Sequence, residues 1–202
     1  MQNKADIFPV SILGFDLKSL AGNVDYIVND ILLSDQHDNG INGSLSKNQQ
    51  VLDSLIYKDV VDEIYLYLNE YIEYCNHDVK GIKIVSSWSN IVNIGERIQP
   101  HKHSNSYICG VIHLTDGSEL AFKKPNIKKF FQIDTNYKSH EDTLFKIPAE
   151  KGQLILFPSN LTHVVLDQTN PQTRVSIAFN TWPLQYGSTS AWVDLTERKQ
   201  NI

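Results

Sequence analysis

The run TRVSIAFN (173–180) constrains this chain most. It has the composition of a β-strand, and side chains two apart on a strand share a face. Val175, Ile177 and Phe179 form one apolar face, while Arg174, Ser176, Ala178 and Asn180 form the other. A strand that carries a guanidinium, a hydroxyl and an amide toward one side has something polar to meet there. Upstream, IQPHKHSNS places His101 and His103 two apart, and LTHVVLD supplies His163. Two ring nitrogens on one strand end, a third far along the chain and an Arg eleven residues after it point to a metal with an anionic cosubstrate beside it.

The 202 residues suffice for one sizeable core and are short for two domains, so 1–202 reads as a single domain. Residues 1–80 form its helical support region and 81–182 its β-barrel core. No apolar run approaches a membrane span, and the start MQNKADIFPV lacks a signal-peptide profile. The expectation is a cytoplasmic protein with no membrane partner. Cys75 and Cys109 form no CxxC and read as reduced thiols. A net charge of -5 argues against nonspecific nucleic-acid binding and for a small-molecule or peptide substrate.

IFPVSILGFDL reads as an opening strand, 17–34 as a short helix and the Gly- and Asn-rich stretch 35–50 as a loop. Apolar residues from Leu52 to Cys75 recur at helical spacing. After Lys80 the period changes. GIKIVSSW, NIVNIG, YICGVIHL, ELAFK, LFKI, QLILFP, THVVLD and RVSIAFN are short β-prone runs between turns. Helices followed by such runs predict a mainly β fold, a double-stranded β-helix (jelly-roll, cupin-like) barrel with N-terminal helices. Residues 124–143 read as a long loop near its mouth.

An Fe(II) site for O2 chemistry needs three protein ligands on one side and open positions on the other. His101 and His103 supply a pair, and His163 a third from a distant strand. One His alone is most simply a surface or hydrogen-bonded core residue; the set with Arg174 is what favours metal. Arg174 can take a carboxylate bidentately, and Ser176 lies on the same face to add a hydrogen bond. Alone, Arg174 would read as half of a structural ion pair.

The stretches SSWSNI (with Trp88 and Asn90), HKHSNSYICGVIHL (101–114), KGQLILFPSNLTHVV (151–165) and RVSIAFNTW (174–182) resemble the 2-oxoglutarate and Fe(II)-dependent oxygenases, in particular a group from bacteria and marine phages. The likeness is strongest over 82–182, and the last two motifs are the more specific. The resemblance implies an Fe(II)- and 2-oxoglutarate-dependent dioxygenase that uses O2 to hydroxylate a substrate and releases succinate, with ascorbate as a stimulant. It implies His101, His103 and His163 as catalytic metal ligands, and Arg174 and Ser176 on the far carboxylate. Tyr107 and Asn180 become further cosubstrate contacts. Self-association as a homodimer, and a host cytoplasm if the chain is phage-encoded, follow by the same analogy.

The chain departs from the group's pattern in two places. Ser104 stands where Pro follows the second His, and His113 replaces an aromatic. The superfamily's commoner first motif is HxD or HxE, and here position 103 is His. Either the three imidazoles form an all-nitrogen triad, or one of the pair binds and water or another group fills the acidic place. A neutral triad leaves the centre more positive, which should tighten anion binding. A cupin-like metal or small-acid binding protein without turnover is the competing reading, and Arg174 is the residue such a protein does not need.

Overall fold

The structure is a computed structural model and describes residues 10–125, 144–186 and 193–194. From residue 126 on, the expected loop lies outside them, as do the first residues of the expected opening strand. Twelve strands and two α-helices follow in chain order: β1 (Leu13–Asp16), α1 (Val24–Leu33), β2 (Gln36–Asp38), β3 (Ser44–Ser46), α2 (Lys58–Tyr74), β4 (Val79–Val92), β5 (Ile98–His101), β6 (Ile108–His113), β7 (Gly117–Lys123), β8 (Leu144–Ala149), β9 (Gln153–Pro158), β10 (His163–Val165), β11 (Arg174–Tyr186) and β12 (Val193–Asp194).

They form two antiparallel sheets. The larger runs β1-β9-β6-β11-β4-β3-β2 with β12 on β11, and the smaller runs β5-β10-β7-β8. This is the expected jelly roll, though among the described residues the sheets do not join edge to edge into a closed barrel. No helix among the described residues is long and apolar enough to cross a membrane.

Several expectations shift in detail. GIKIVSSW and NIVNIG are one 14-residue strand, β4, which no turn residue interrupts beyond Gly81. The expected loop 35–50 contains the β2–β3 hairpin, which extends the large sheet past β4. Its residues are polar because it is an edge with little to bury. The front of the chain is therefore not purely helical. The expected helix over 17–34 narrows to a 3-10 turn at Lys18–Leu20 and then α1. The helical pattern from Leu52 begins with two 3-10 turns before α2.

The large sheet is buried on both faces, which explains why its strands read as continuous apolar runs. Leu154 and Leu156 of β9, Ile108 and Ile112 of β6, and Val175, Ile177 and Phe179 of β11 face the helices. There they meet Val60, Ile64, Leu68, Tyr71 and Ile72 of α2. No side chain caps the α2 N-terminus, so burial of this stripe holds the helix, each large side chain contributing about 1.5–3 kcal/mol. Ile155, Phe157, Cys109, Val111 and Ala178 point the other way and meet Leu120, Phe122 and Val165 of the small sheet.

Gly110 sits where β6 crosses Phe179. A Cβ there would overlap the Phe179 ring, which is fully buried. Gly110→Ala is expected to destabilise the fold by about 3 kcal/mol. A thermal melt should then fall by roughly 6–12 °C for a chain of this size.

Candidate metal and cosubstrate site

The three imidazoles come from three places and meet at one end of the space between the sheets. His101 ends β5 and His163 opens β10, directly opposite each other in antiparallel register. Their ring centroids are 4.2 Å apart. His103 lies two residues past the end of His101's strand, where its backbone N–H donates to Ser159 O at 3.0 Å. Asn105 then turns the chain back with φ 57, a conformation Asn tolerates. The His103 ring centroid lies 5.2 Å from that of His101 and 5.0 Å from that of His163. One ring nitrogen from each residue falls within 4.8 Å of the others.

The second nitrogen of each ring is already committed. His101 Nδ1 donates to Gln99 O at 2.8 Å, and His163 Nδ1 donates to Leu161 O at 3.0 Å. A carbonyl can only accept, so both rings carry their proton on Nδ1. His103 Nδ1 lies 2.6 Å from Asn180 Oδ1, again an acceptor. All three rings thus leave the Nε2 lone pair free, the tautomer a metal requires. Charge state agrees. His163 is buried between Phe157 and Phe122, and burial, with the neighbouring imidazoles, pulls its pKa down to about 3. Burial also lowers His103, against an opposing hydrogen bond to Asn180. Three nitrogen donors converging on one point, two of them held toward the neutral form by burial, fit a borderline metal such as Fe(II). The three residues bring no carboxylate, so a cation held there would keep its full charge.

Arg174, the first residue of β11, is fully buried. Its Nη1 donates to Ser176 Oγ at 3.0 Å and its Nη2 to His113 Nδ1 at 3.2 Å, while Nε has no partner. Among the described residues no carboxylate reaches it. Burial lowers its pKa to about 10, which still leaves it charged near neutral pH. A buried cation without a counter-ion is costly; an anion entering the adjoining cavity would offset that cost. Because His113 Nδ1 accepts from Arg174, this ring keeps its proton on Nε2. Burial, then Arg174, holds it well below the usual imidazole pKa. Gly117 makes room for the arginine stem: a Cβ there would come within 2.9 Å of Arg174 Cβ.

Register orders the floor of the cavity. Across β4, β11 and β6 the inward rows are Asn90–Ser176–His113, Trp88–Ala178–Val111 and Ser86–Asn180–Cys109. A bulge follows Asn180 in the β11–β4 pairing, as bulges often do beside sites. The first row lies at the Arg174 end and the last beneath His103. A cavity of about 560 Å³ spans them, lined by His101, His103, His163, Arg174, Ser176 and Asn180 among others.

Of the expected site residues, Tyr107 is the one that does not line it. Its hydroxyl pairs with His77 Nδ1 at 2.7 Å, and its ring packs with the helix-side core. Alternation carried from Cys109 and His113 fails there because the β6 ladder starts at Ile108. The turn before it delivers Tyr107 to the opposite side. Asn180 lines the cavity, but its amide oxygen is spent on His103 and on the Cys109 thiol, which donates at 3.3 Å. Asn90 flanks Ser176 across the β4–β11 ladder and is 6% exposed. Ser86 and Cys109 escaped sequence reasoning, although both follow from extending the parity of β11 to its two neighbours. Trp88 lies at the wall, its ring centroid 5.4 Å from that of His103.

Residues 86–180, which hold every one of these groups, match the family model described as "Putative 2OG-Fe(II) oxygenase". This stretch, just under half of the chain, is similar to the 2OG-Fe(II) oxygenase family. No curated protein sequence matches the chain. Among solved structures, HygX from Streptomyces hygroscopicus with nickel, 2-oxoglutarate and hygromycin B bound is similar, with a TM-score of 0.58 and 13% identity, over 86% of this chain and 83% of that one. The non-heme alpha ketoglutarate dependent epimerase SnoN from nogalamycin biosynthesis aligns with a TM-score of 0.61 and 12% identity, over 90% and 82%. The viral collagen prolyl hydroxylase vCPH from Paramecium Bursaria Chlorella virus-1 gives 0.52 and 11%, over 84% and 94%. At these identities the likeness is one of fold, and it places the two sheets in a jelly roll used for several reactions.

Proposed function

We propose that this protein is a 2-oxoglutarate-dependent, hydroxylating dioxygenase in which His101, His103 and His163 hold Fe(II), and Arg174 with Ser176 holds the far carboxylate of 2-oxoglutarate. The observation that carries the reading is the buried, counter-ion-free guanidinium of Arg174 in the same cavity as three imidazoles whose Nε2 atoms are free. A protein that only stored a metal would have no use for that cation. With Fe(II) bound, the centre supplies oxidative C–H chemistry driven by O2 and by conversion of 2-oxoglutarate to succinate and CO2.

The chain's own groups do the rest. The Arg174 fork and the Ser176 hydroxyl orient a diacid along β11, with the Asn90 amide beside them. The apolar wall of Val111, Leu120, Val165 and Ala178 keeps water from the middle of the cavity. Trp88, Asn42 and Gln99 line the cavity as well, and we assign that side to a small-molecule or peptide substrate. Hydroxylation as the outcome rests on likeness to the prolyl hydroxylase fold, and residues 1–202 are taken as one working unit.

The test is succinate release from 2-oxoglutarate by the purified protein with Fe(II) and ascorbate, without added substrate. Slow, metal-dependent release that EDTA abolishes is expected. Metal binding with neither 2-oxoglutarate binding nor succinate release would instead support the cupin-like binding protein.

A further inference from the structure

The three imidazoles are oriented by two different devices. His101 and His163 each donate from Nδ1 to the carbonyl two residues earlier, Gln99 O and Leu161 O. Those acceptors belong to the backbone, so no side-chain substitution removes them. His103 has no such carbonyl. Its Nδ1 faces Asn180 Oδ1 at 2.6 Å, across 77 residues of chain. The amide is itself fixed: Nδ2 donates to Ser86 Oγ at 3.1 Å, and Oδ1 also accepts from Cys109 Sγ at 3.3 Å. In this orientation Nδ2 donates to Ser86 Oγ and Oδ1 is left to accept from the Cys109 thiol and from His103.

We infer that Asn180 is a positioning residue for the metal, holding His103 in its Nδ1–H tautomer so that Nε2 is presented as a ligand. The assignment rests on His103 being one of the three ligands, as proposed above. It replaces a direct role for Asn180 on the cosubstrate, because its acceptor oxygen already serves two donors. An imidazole without a partner at Nδ1 carries its proton mainly on Nε2, which is the wrong tautomer for this geometry. Loss of an outer partner of this kind typically costs about 10–100-fold in metal affinity. His103 is the ligand most exposed to such a loss, because its orientation alone depends on a side chain.

Two measurements on the full chain separate this role from a merely structural one. In the metal-free protein, 15N NMR of the histidine rings reads each tautomer directly. Asn180→Leu, close in size and without an acceptor, is expected to move the His103 proton from Nδ1 to Nε2 and to leave His101 and His163 unchanged. Ni(II) affinity should fall by about 10–100-fold, while Asn180→Asp, which keeps an acceptor oxygen in place, should keep both the tautomer and the affinity. Should the Leu variant not fold, Asn180→Ala gives the same two readouts. A His103 ring that stays Nδ1-protonated in the Leu or Ala variant, with Ni(II) affinity unchanged, overturns the assignment. Because the tautomer is read without metal, its outcome stands even if the Fe(II) reading of the site fails.

Discussion

His163→Ala is expected to weaken Ni(II) or Fe(II) binding by more than about 100-fold, beyond the loss known for outer partners of a ligand, and to abolish succinate release. His163 is the deepest of the three imidazoles, 3% exposed and set between two phenylalanine rings. A water taking its place would sit against Phe122, Phe157 and Leu161, with few groups to hold it in line. The remaining pair, His101 and His103, lies nearer solvent and offers only two nitrogens. Isothermal titration with Ni(II) checks the affinity. A thermal melt supplies the control, since a ligand that binds only the folded chain raises its midpoint. The wild-type midpoint should rise with Ni(II) and that of the variant should not. An equal rise in both would remove His163 from the ligand set.

Arg174→Met is expected to weaken 2-oxoglutarate binding by about 2–5 kcal/mol, the usual loss when one partner of a buried charged pair is cut away. That corresponds to roughly 30- to 5,000-fold in Kd. Metal affinity should change little, because Arg174 bonds to Ser176 and His113 and to none of the three imidazoles. Lysine is not an adequate replacement. It restores the charge but not the fork that meets a carboxylate with two parallel hydrogen bonds. Stability should move the opposite way. Without cosubstrate the guanidinium is a buried cation lacking an acid, and replacing such a group with an apolar side chain of similar length is often neutral or stabilising. The apo Met variant should therefore melt at or above the wild type and gain nothing from added 2-oxoglutarate. A marked drop in the apo melting point would mark Arg174 as a structural strut instead.

The sequence made the fold class legible because helical and two-residue periods occupy different parts of the chain. The site was legible where one strand carried it: Arg174, Ser176 and Asn180 share a face by parity alone, and β11 keeps that parity through Asn180. The His pair with the later His163 could be grouped, but only the register of β5 against β10 brings His101 and His163 face to face. Tyr107 failed because parity holds within a ladder and not in the turn before it. The contact of Asn180 with His103 was not legible for another reason. An amide can donate and accept, so its type does not say which neighbour it serves; that took distances across β4, β11 and β6. The β2–β3 hairpin was hidden by its polar residues, since an edge that covers little has no hydrophobic pattern to show.

The long strand β11 is paired on one side with β4 and on the other with β6 from Ser176 to Asn180. A ladder bonded along both margins cannot stretch. The four steps between those residues therefore hold their spacing near 13 Å, at about 3.3 Å per residue. If the anion clamp and the support of the third imidazole both hang from that stretch, the backbone works as a ruler. Diacids that differ by one methylene would be sorted by length before any part of the protein had to move.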